Sequence, residues 1–462
     1  MPALVGVDPA AAAPAATTVV GGRNYPAMFT VAPDGRIFYS ELWSGRIGVF
    51  DPATGSDTTY FQVPNLCNTR DQGLYGLALH PNYPQTSTLY AYVTRLAADG
   101  TCHNQVVRIA SSGGQLGLTV LLSDPYVGGH IGGRVLFGPG GNLYVATGDG
   151  ASGLATAELA GAQEGRAQEL GSLKGKLLRI TPDGTAPADN PFPNNPVFAY
   201  GFRNVFGFDF DPATGRLWAT DNGPDPEHAG EPFGPGPNGG CNDELDLVLK
   251  GANYGWGPKG TCGKPPEAPF NTNQDGPSPV LPALNIEAAT GITGARFCQG
   301  CGLGPDYEGR LFYVRYGSAS GSGAIHAATL SADRSTVVSD TLVYRPAGPS
   351  PLSIERGPDG ALYYSDSQAI HKLVPSGGTT SPSPITLRAA LVSATTVNLK
   401  WSGATATSID VWRRPAGTTN FTKVGVSSND GNANDSPGNG TWDYRVCNGG
   451  TSTCSNVATV TV

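Results

Sequence analysis

The chain has 462 residues, of which 65 are Gly and 39 Pro, with 14% charged residues and a net charge of -8. That length exceeds one ordinary core and asks for two domains, or one large all-β domain with a module attached. The acidic balance, with no basic stretch able to track a nucleic-acid backbone, argues against nucleic acid as a partner, and no apolar run nears the roughly 20 residues that span a bilayer.

Residues 1–21 are Ala/Pro-rich and lack a charged stretch ahead of an apolar core. They read as the flexible, trimmed end of a mature chain and not as a signal peptide. Beyond them, glycines and prolines fall between short apolar runs, the pattern of many short strands joined by tight turns. One unit recurs six times, a turn rich in Asp, Gly or Pro followed by an alternating apolar strand. The copies are Pro33-Asp34-Gly35 into Ile37-Phe38-Tyr39, His80-Pro81-Asn82 into Leu89-Tyr90-Ala91, and Pro139-Gly140-Gly141 into Leu143-Tyr144-Val145. They continue as Asp211-Pro212-Ala213-Thr214-Gly215 into Leu217-Trp218, Asp306-Tyr307-Glu308-Gly309 into Leu311-Phe312-Tyr313, and Pro358-Asp359-Gly360 into Leu362-Tyr363-Tyr364. Each copy is a hairpin that cannot bury its apolar face alone. Copies spaced roughly 50 to 95 residues apart fit four-stranded blades with loops of variable length. The expectation is an all-β chain with a six-bladed β-propeller over residues 22–375. Separate β domains or a large sandwich are the plainer alternative, disfavoured because no linker interrupts the repeat.

A linker comes later, at 376–384, where Gly377-Gly378-Thr379-Thr380-Ser381-Pro382-Ser383-Pro384 marks a domain boundary. After it Val397-Asn398-Leu399-Lys400-Trp401, Ile409-Asp410-Val411-Trp412 and Trp442-Asp443-Tyr444-Arg445-Val446 alternate with period two. Residues 385–462 are therefore expected to form a small β-sandwich. It resembles a fibronectin type III module, more often a spacer or carbohydrate-proximal unit than a catalytic one.

Eight cysteines fall into four local couples: Cys67 with Cys102, Cys241 with Cys262, Cys298 with Cys301, and Cys447 with Cys454. Close partners in even number suit disulfides and an oxidising, secreted or periplasmic location. A metal role for Cys298 and Cys301 lacks a second ligand pair at suitable spacing.

Propellers carry their sites on loops at a channel mouth, and three loops stand out. In Gly128-Gly129-His130-Ile131-Gly132-Gly133-Arg134 a histidine lies open between glycines, and Asp149 in Thr147-Gly148-Asp149-Gly150 could orient it as a general base. In Tyr200-Gly201-Phe202-Arg203-Asn204 an arginine at an apolar strand end needs an anionic or polar partner. In Asp221-Asn222-Gly223-Pro224, followed by Asn242-Asp243-Glu244-Leu245-Asp246 and Asn253-Tyr254-Gly255-Trp256, turn carbonyls beside carboxylates are hard oxygen ligands of the kind Ca²⁺ prefers. The structural alternatives are a core histidine, an arginine satisfied by carbonyls, and an Asp-rich loop that caps itself.

Taken in order, these segments resemble the glucose/sorbosone dehydrogenases. The match joins Asp71-Gln72-Gly73-Leu74-Tyr75-Gly76-Leu77-Ala78-Leu79-His80-Pro81, His130-Ile131-Gly132-Gly133 with Gly148-Asp149, Lys174-Gly175-Lys176-Leu177-Leu178-Arg179-Ile180, Gly201-Phe202-Arg203-Asn204, and Asp243-Glu244-Leu245 with Asn253-Tyr254-Gly255-Trp256. The resemblance implies a dehydrogenase that uses pyrroloquinoline quinone (PQQ) and Ca²⁺ to oxidise the anomeric carbon of an aldose to the lactone, passing electrons to an external acceptor. It implies His130 as base, Asp149 as its orienter, Arg203 and Asn204 at the quinone oxygens, Gln72 on substrate or cofactor, and the carbonyls of Gly223 and Pro224 on Ca²⁺. Two departures stand beside it. Where the family often carries two arginines that clamp the quinone's carboxylates, the chain reads Ser350-Pro351-Leu352-Ser353-Ile354, and where a lysine is expected it reads Tyr313-Val314-Arg315-Tyr316. The alternatives are a propeller that has lost the quinone and binds carbohydrate or protein, or one that runs another metal-assisted reaction such as lactone hydrolysis.

Overall fold

The computed structural model describes residues 13–151, 165–223, 242–257, 275–286, 290–317, 322–375, 385–404, 406–416, 418, 421–449, 454–455 and 457–462. The chain divides into two compact units, residues 1–376 and 377–462.

The first unit is a six-bladed β-propeller, each blade an antiparallel four-stranded sheet. Blade 1 is Pro26–Val31, Ile37–Glu41, Arg46–Asp51 and Ser56–Gln62; blade 2 is Leu74–Leu79, Thr88–Leu96, Cys102–Ser112 and Gln115–Pro125. Blade 3 is Val135–Phe137, Leu143–Thr147, Lys176–Ile180 and Val197–Tyr200; blade 4 is Val205–Phe210, Leu217–Asp221, Asp243–Val248 and Leu284–Ile286. Blade 5 is Ile292–Phe297, Leu311–Arg315, Ala324–Leu330 and Val337–Tyr344. Blade 6 takes Ser353–Arg356, Leu362–Ser365 and Ile370–Val374 from the end of the unit and Ala15–Val20 from its start. The N-terminal segment, expected to be free, thus supplies an outer strand, with Ala15 opposite Val374 and Val20 opposite Ile370. That pairing closes the ring by completing the sixth blade, and it covers the outer edge of Ile370–Val374.

The six recurrent turns join the first and second strands of their blades. In blade 1 the turn at Gly35 has φ 88, a left-handed conformation that glycine takes without steric cost. The strands bury alternating faces against the next blade. Trp218 and Leu245 of blade 4 pack with Ile292, Phe297 and Leu311 of blade 5, all essentially inaccessible, and each such side chain contributes about 1.5–3 kcal/mol on burial.

At the end of the channel where these turns lie, four buried charges from blades 3 to 6 interlock. Arg296 donates to Asp209 at 2.6 Å and to Glu355, and Glu355 also accepts from Arg134. A cavity of about 490 Å³ opens there, lined by Phe137, Asp209, Arg296, Glu355 and Arg356 among others.

The second unit is a sandwich. One sheet holds Thr386–Ser393, Thr396–Ser402 and Asn432–Asp435; the other holds Thr422–Ser428, Ser408–Pro415, Thr441–Asn448 and Ala458–Thr461. Leu387, Leu399 and Trp401 meet Val411, Tyr444 and Val446 between them.

Disulfides join Cys67 to Cys102, Cys298 to Cys301 and Cys447 to Cys454. The expected Cys241–Cys262 couple lies outside the described residues. Cys298, Cys301 and Glu308 cluster tightly enough to suggest a metal, but the two sulfurs are bonded to each other. Among the described residues no helix is long and apolar enough to cross a membrane.

A chain lacking residues 1–20 leaves blade 6 with three strands and the Ile370–Val374 edge uncovered. Its thermal unfolding midpoint should fall by several degrees, since about 1 kcal/mol moves the midpoint of a domain this large by a few degrees at most. An unchanged melt would show that the ring does not depend on this closure.

Candidate active site

In an antiparallel blade the chain enters the first strand and leaves the second at the same end. Residues just before a first strand and just after a second therefore share one mouth of the channel. Gln72 precedes Leu74–Leu79, His130 precedes Val135–Phe137, and Arg203 and Asn204 precede Val205–Phe210. Asp149 follows Leu143–Thr147, and Asn222 and Gly223 follow Leu217–Asp221. Candidates up to 150 residues apart in sequence thereby gather at one place.

The glycines around His130 let two loops pass at van der Waals distance. A Cβ on Gly148 would stand 2.0 Å from the His130 carbonyl oxygen, and one on Gly132 would stand 2.6 Å from that of Ala146. His130 has φ 57, a left-handed conformation that costs a non-glycine residue on the order of 1–3 kcal/mol. It is held there by Gly150 N–H donating to the His130 carbonyl at 3.2 Å and by Gly132 N–H donating to Asn204 Oδ1 at 3.0 Å.

The His130 ring meets Asp149, with Nδ1 2.9 Å from Oδ1. Asp149 has no exposed surface. Its Oδ1 also accepts from Ala151 N–H at 2.9 Å, and its Oδ2 accepts from Trp256 Nε1–H at 2.8 Å. Burial alone would raise the Asp149 pKa, but the charge and hydrogen bond of His130, the charge of Arg203 and the Ala151 N–H outweigh it and hold the carboxyl below its usual range.

Arg203 is likewise buried. Its Nη1 donates to the carbonyls of Asn222 at 3.1 Å and Gly223 at 2.8 Å, and its guanidinium lies 5.7 Å from the Trp256 ring centre. Asp221 accepts from the backbone N–H groups of Arg203 at 2.9 Å and Asn204 at 2.6 Å. Asp243 accepts from Gly223 N–H at 2.9 Å and Thr290 N–H at 2.7 Å.

Blade 4 crowds carboxyl groups. Burial raises Asp221 to about 7 and Asp243 to about 6, despite the hydrogen bonds each receives. Burial, then the charges of Glu244 and Asp221, raise Asp246 well above the usual carboxyl range. Both Asp246 oxygens are buried with no hydrogen-bond partner. These carboxyls give blade 4 a negative balance, but among the described residues their oxygens do not converge as a ligand set; the only such group is Cys298, Cys301 and Glu308.

Several expected contacts differ. The Gly223 carbonyl is already engaged by Arg203, and Pro224 lies outside the described residues. The Asn204 side-chain oxygen supports the His130 loop. Gln72 is buried, and its Oε1 accepts from Thr69 Oγ1 at 2.8 Å. The indole contact of Trp256 with Asp149 had no signal in the sequence beyond the Asn253-Tyr254-Gly255-Trp256 run. Lys176 was read as part of a strand. It is fully buried, with Nζ donating to the carbonyls of Arg166 and Ala167, and burial lowers its pKa to about 7.

Comparison with known proteins gives a concordant picture. The glucose/sorbosone dehydrogenase family model matches residues 23–374. An uncharacterised protein of Synechocystis is 30% identical over 378 residues, covering 76% of this chain and 84% of the relative. The aldose sugar dehydrogenase YliI of Escherichia coli is 26% identical over 368 residues, covering 76% and 89%. The structure of the PQQ-bound aldose sugar dehydrogenase of Streptomyces coelicolor is 26% identical with a TM-score of 0.60, covering 79% of this chain and 99% of that one.

An ionised Asp149 contributes stability above its unfolded pKa of about 3.9, lost as pH falls through its lower folded value. In His130→Ala the burial penalty loses its largest counterweight, so the folded pKa rises. Acid unfolding followed by fluorescence should then begin at higher pH in the variant; coincident curves would show that the pair does not carry the shift.

Proposed function

The chain belongs to the glucose/sorbosone dehydrogenase family, and on that premise we propose that it oxidises a neutral aldose, or a related sugar, at the anomeric carbon to the lactone. The observation that carries this reading is the His130–Asp149 pair at the mouth of the channel. Asp149, ionised and buried, accepts at His130 Nδ1. This favours the tautomer with the proton on Nδ1 and makes Nε2 the basic atom of the ring, the one that would take the C1 hydroxyl proton. Asp149 then stabilises the imidazolium that forms. Arg203, buried against Trp256, supplies fixed positive charge where negative charge develops. Gln72 and Asn204 complete the polar side of the mouth.

We infer PQQ and Ca²⁺ as the cofactors. What supports them is the charge of the surroundings: Arg203 acts on Asp149 of the His130 pair, and the buried carboxyls of blade 4 give a negative balance that favours a nearby cation. Bound there, the quinone would accept the C1 hydride and Ca²⁺ would favour its reduction. A Ca²⁺ ligated by the Gly223 and Pro224 carbonyls would share with Arg203 the Gly223 oxygen, which has a second lone pair to offer. Electrons would pass on to an external acceptor. The three disulfides among the described residues support a secreted or periplasmic location, and the C-terminal sandwich is read as a fibronectin type III-like spacer. The departure at residues 350–354 favours a second reading, a propeller that binds carbohydrate without the quinone or runs another metal-assisted reaction.

Titration of the purified protein with PQQ and Ca²⁺, followed by cofactor absorbance and by dye reduction with a panel of aldoses, separates the two. Saturable binding with sugar-dependent reduction supports the dehydrogenase; no binding at micromolar quinone moves the assignment to the second reading. In the dehydrogenase, His130→Ala should lower kcat by on the order of 10²-fold or more, the contribution of a general base, with quinone binding retained. Full activity in that variant would remove His130 from the mechanism.

A further inference from the structure

The same topological rule that gathers His130 and Arg203 places three aromatic residues on the rest of the rim. Tyr25 stands just before Pro26–Val31, the first strand of blade 1. Trp43 follows Ile37–Glu41, the second strand of that blade, and Tyr316 follows Leu311–Arg315, the second strand of blade 5. Polar groups of blades 2 to 4 thus occupy one arc of the mouth, and these rings occupy the arc over blades 5 to 1.

Contacts tie both ends of this row to the site. Tyr316 N–H donates to the Gly291 carbonyl at 2.9 Å. A Cβ on Gly291 would lie 3.5 Å from Tyr316 Cβ and 3.9 Å from Asn222 Oδ1, and the Asn222 carbonyl holds Arg203. At the other end Leu42, beside Trp43, donates its N–H to the Tyr25 carbonyl and accepts from Leu74 N–H at 2.8 Å, two residues after Gln72. Tyr25 and Trp43 have ring centres 4.7 Å apart, inclined by 41°, and Tyr316 lies close enough to Tyr25 to act on its hydroxyl electrostatically.

The row is rigid and open. Tyr25 has φ 54, strain that persists only where the surroundings over-determine the conformation, and its backbone N–H is held by the Ser367 carbonyl at 3.1 Å. Trp43 and Tyr316 keep 41% and 40% of their surface exposed. One exposed aromatic is ordinary on a protein surface, but rings fixed together at the mouth of a polar site point to a ligand. The three carry no charge. Their faces suit the apolar C–H face of a pyranose, and their phenol and indole edges suit its hydroxyls.

We propose that Trp43, Tyr25 and Tyr316 form a stacking platform for the sugar ring next to the one oxidised, so that the preferred substrate is the reducing end of a neutral oligosaccharide and not a free monosaccharide. This rests on the sugar-oxidising reading for the identity of the reacting ring. A row of three rings, beginning beside the Arg203 support and running to Trp43, is longer than a single pyranose face.

The test is Trp43→Ala, with Trp43→Phe as the conservative partner, assayed on glucose, maltose, cellobiose and their trisaccharides. Loss of one stacking contact should lower the ratio of kcat/KM for trisaccharide over glucose by about tenfold, equivalent to about 1.4 kcal/mol, and Trp43→Phe should restore most of it. An unchanged ratio in Trp43→Ala overturns the platform. Calorimetric titration of the purified protein with the trisaccharides needs no turnover. Binding weakened in Trp43→Ala and restored in Trp43→Phe supports the platform even if no sugar is oxidised; binding that ignores Trp43 overturns it.

Discussion

The site depends on a single dry carboxylate. Asp149 has no access to solvent, and an ionised carboxyl removed from water is costly unless its oxygens are fully engaged. Three donors engage it: the His130 ring, the Ala151 N–H and the Trp256 indole. They come from the loop before blade 3, the loop within blade 3 and the loop between the third and fourth strands of blade 4. Its own N–H donates to the Arg203 carbonyl at 2.8 Å. Removing the charge therefore loosens His130, frees an indole and weakens the register of the Arg203 loop together. This is how a ring of six sheets, each packed only on its neighbours, holds catalytic groups from several blades in one geometry.

Much of this was legible because the chemistry is local. The six turn-and-strand copies predict the blades, and a histidine between glycines with Asp149 nearby predicts the pair. Glycine at 132 and 148 is required because two loops cross where no Cβ fits. Other features had no local signal. Ala15–Val20 pairs with Ile370–Val374, and only the need to close the ring links segments so far apart. Tyr25, Trp43 and Tyr316 share no motif or spacing; they become neighbours only through their places before first strands or after second ones. The Gly223 carbonyl was read as a free metal ligand. A sequence does not say that a buried guanidinium with unsatisfied donors will claim the nearest carbonyls first.

The two ends of the channel balance charge in opposite ways. At the far end Arg134 and Arg296 face Asp209 and Glu355 in one interlocked network, two charges of each sign. Its residual demand is on the donor side, since Nε and Nη2 of Arg134 are buried without partners, each such group costing about 1–3 kcal/mol. At the near end Asp221, Asp243, Glu244 and Asp246 are buried in blade 4, with Arg203 as the guanidinium beside them. Burial raises the pKa of Asp221, Asp243 and Asp246, and at Asp246 the charges of Glu244 and Asp221 add to it. Such carboxyls hold their protons in the folded chain at pH values where the unfolded chain has lost them, so their burial stabilises less as pH rises. A divalent cation reverses this dependence, because it binds the deprotonated form. The surplus of acid in blade 4 is therefore what supports the proposed divalent cation, whichever carbonyls complete its shell.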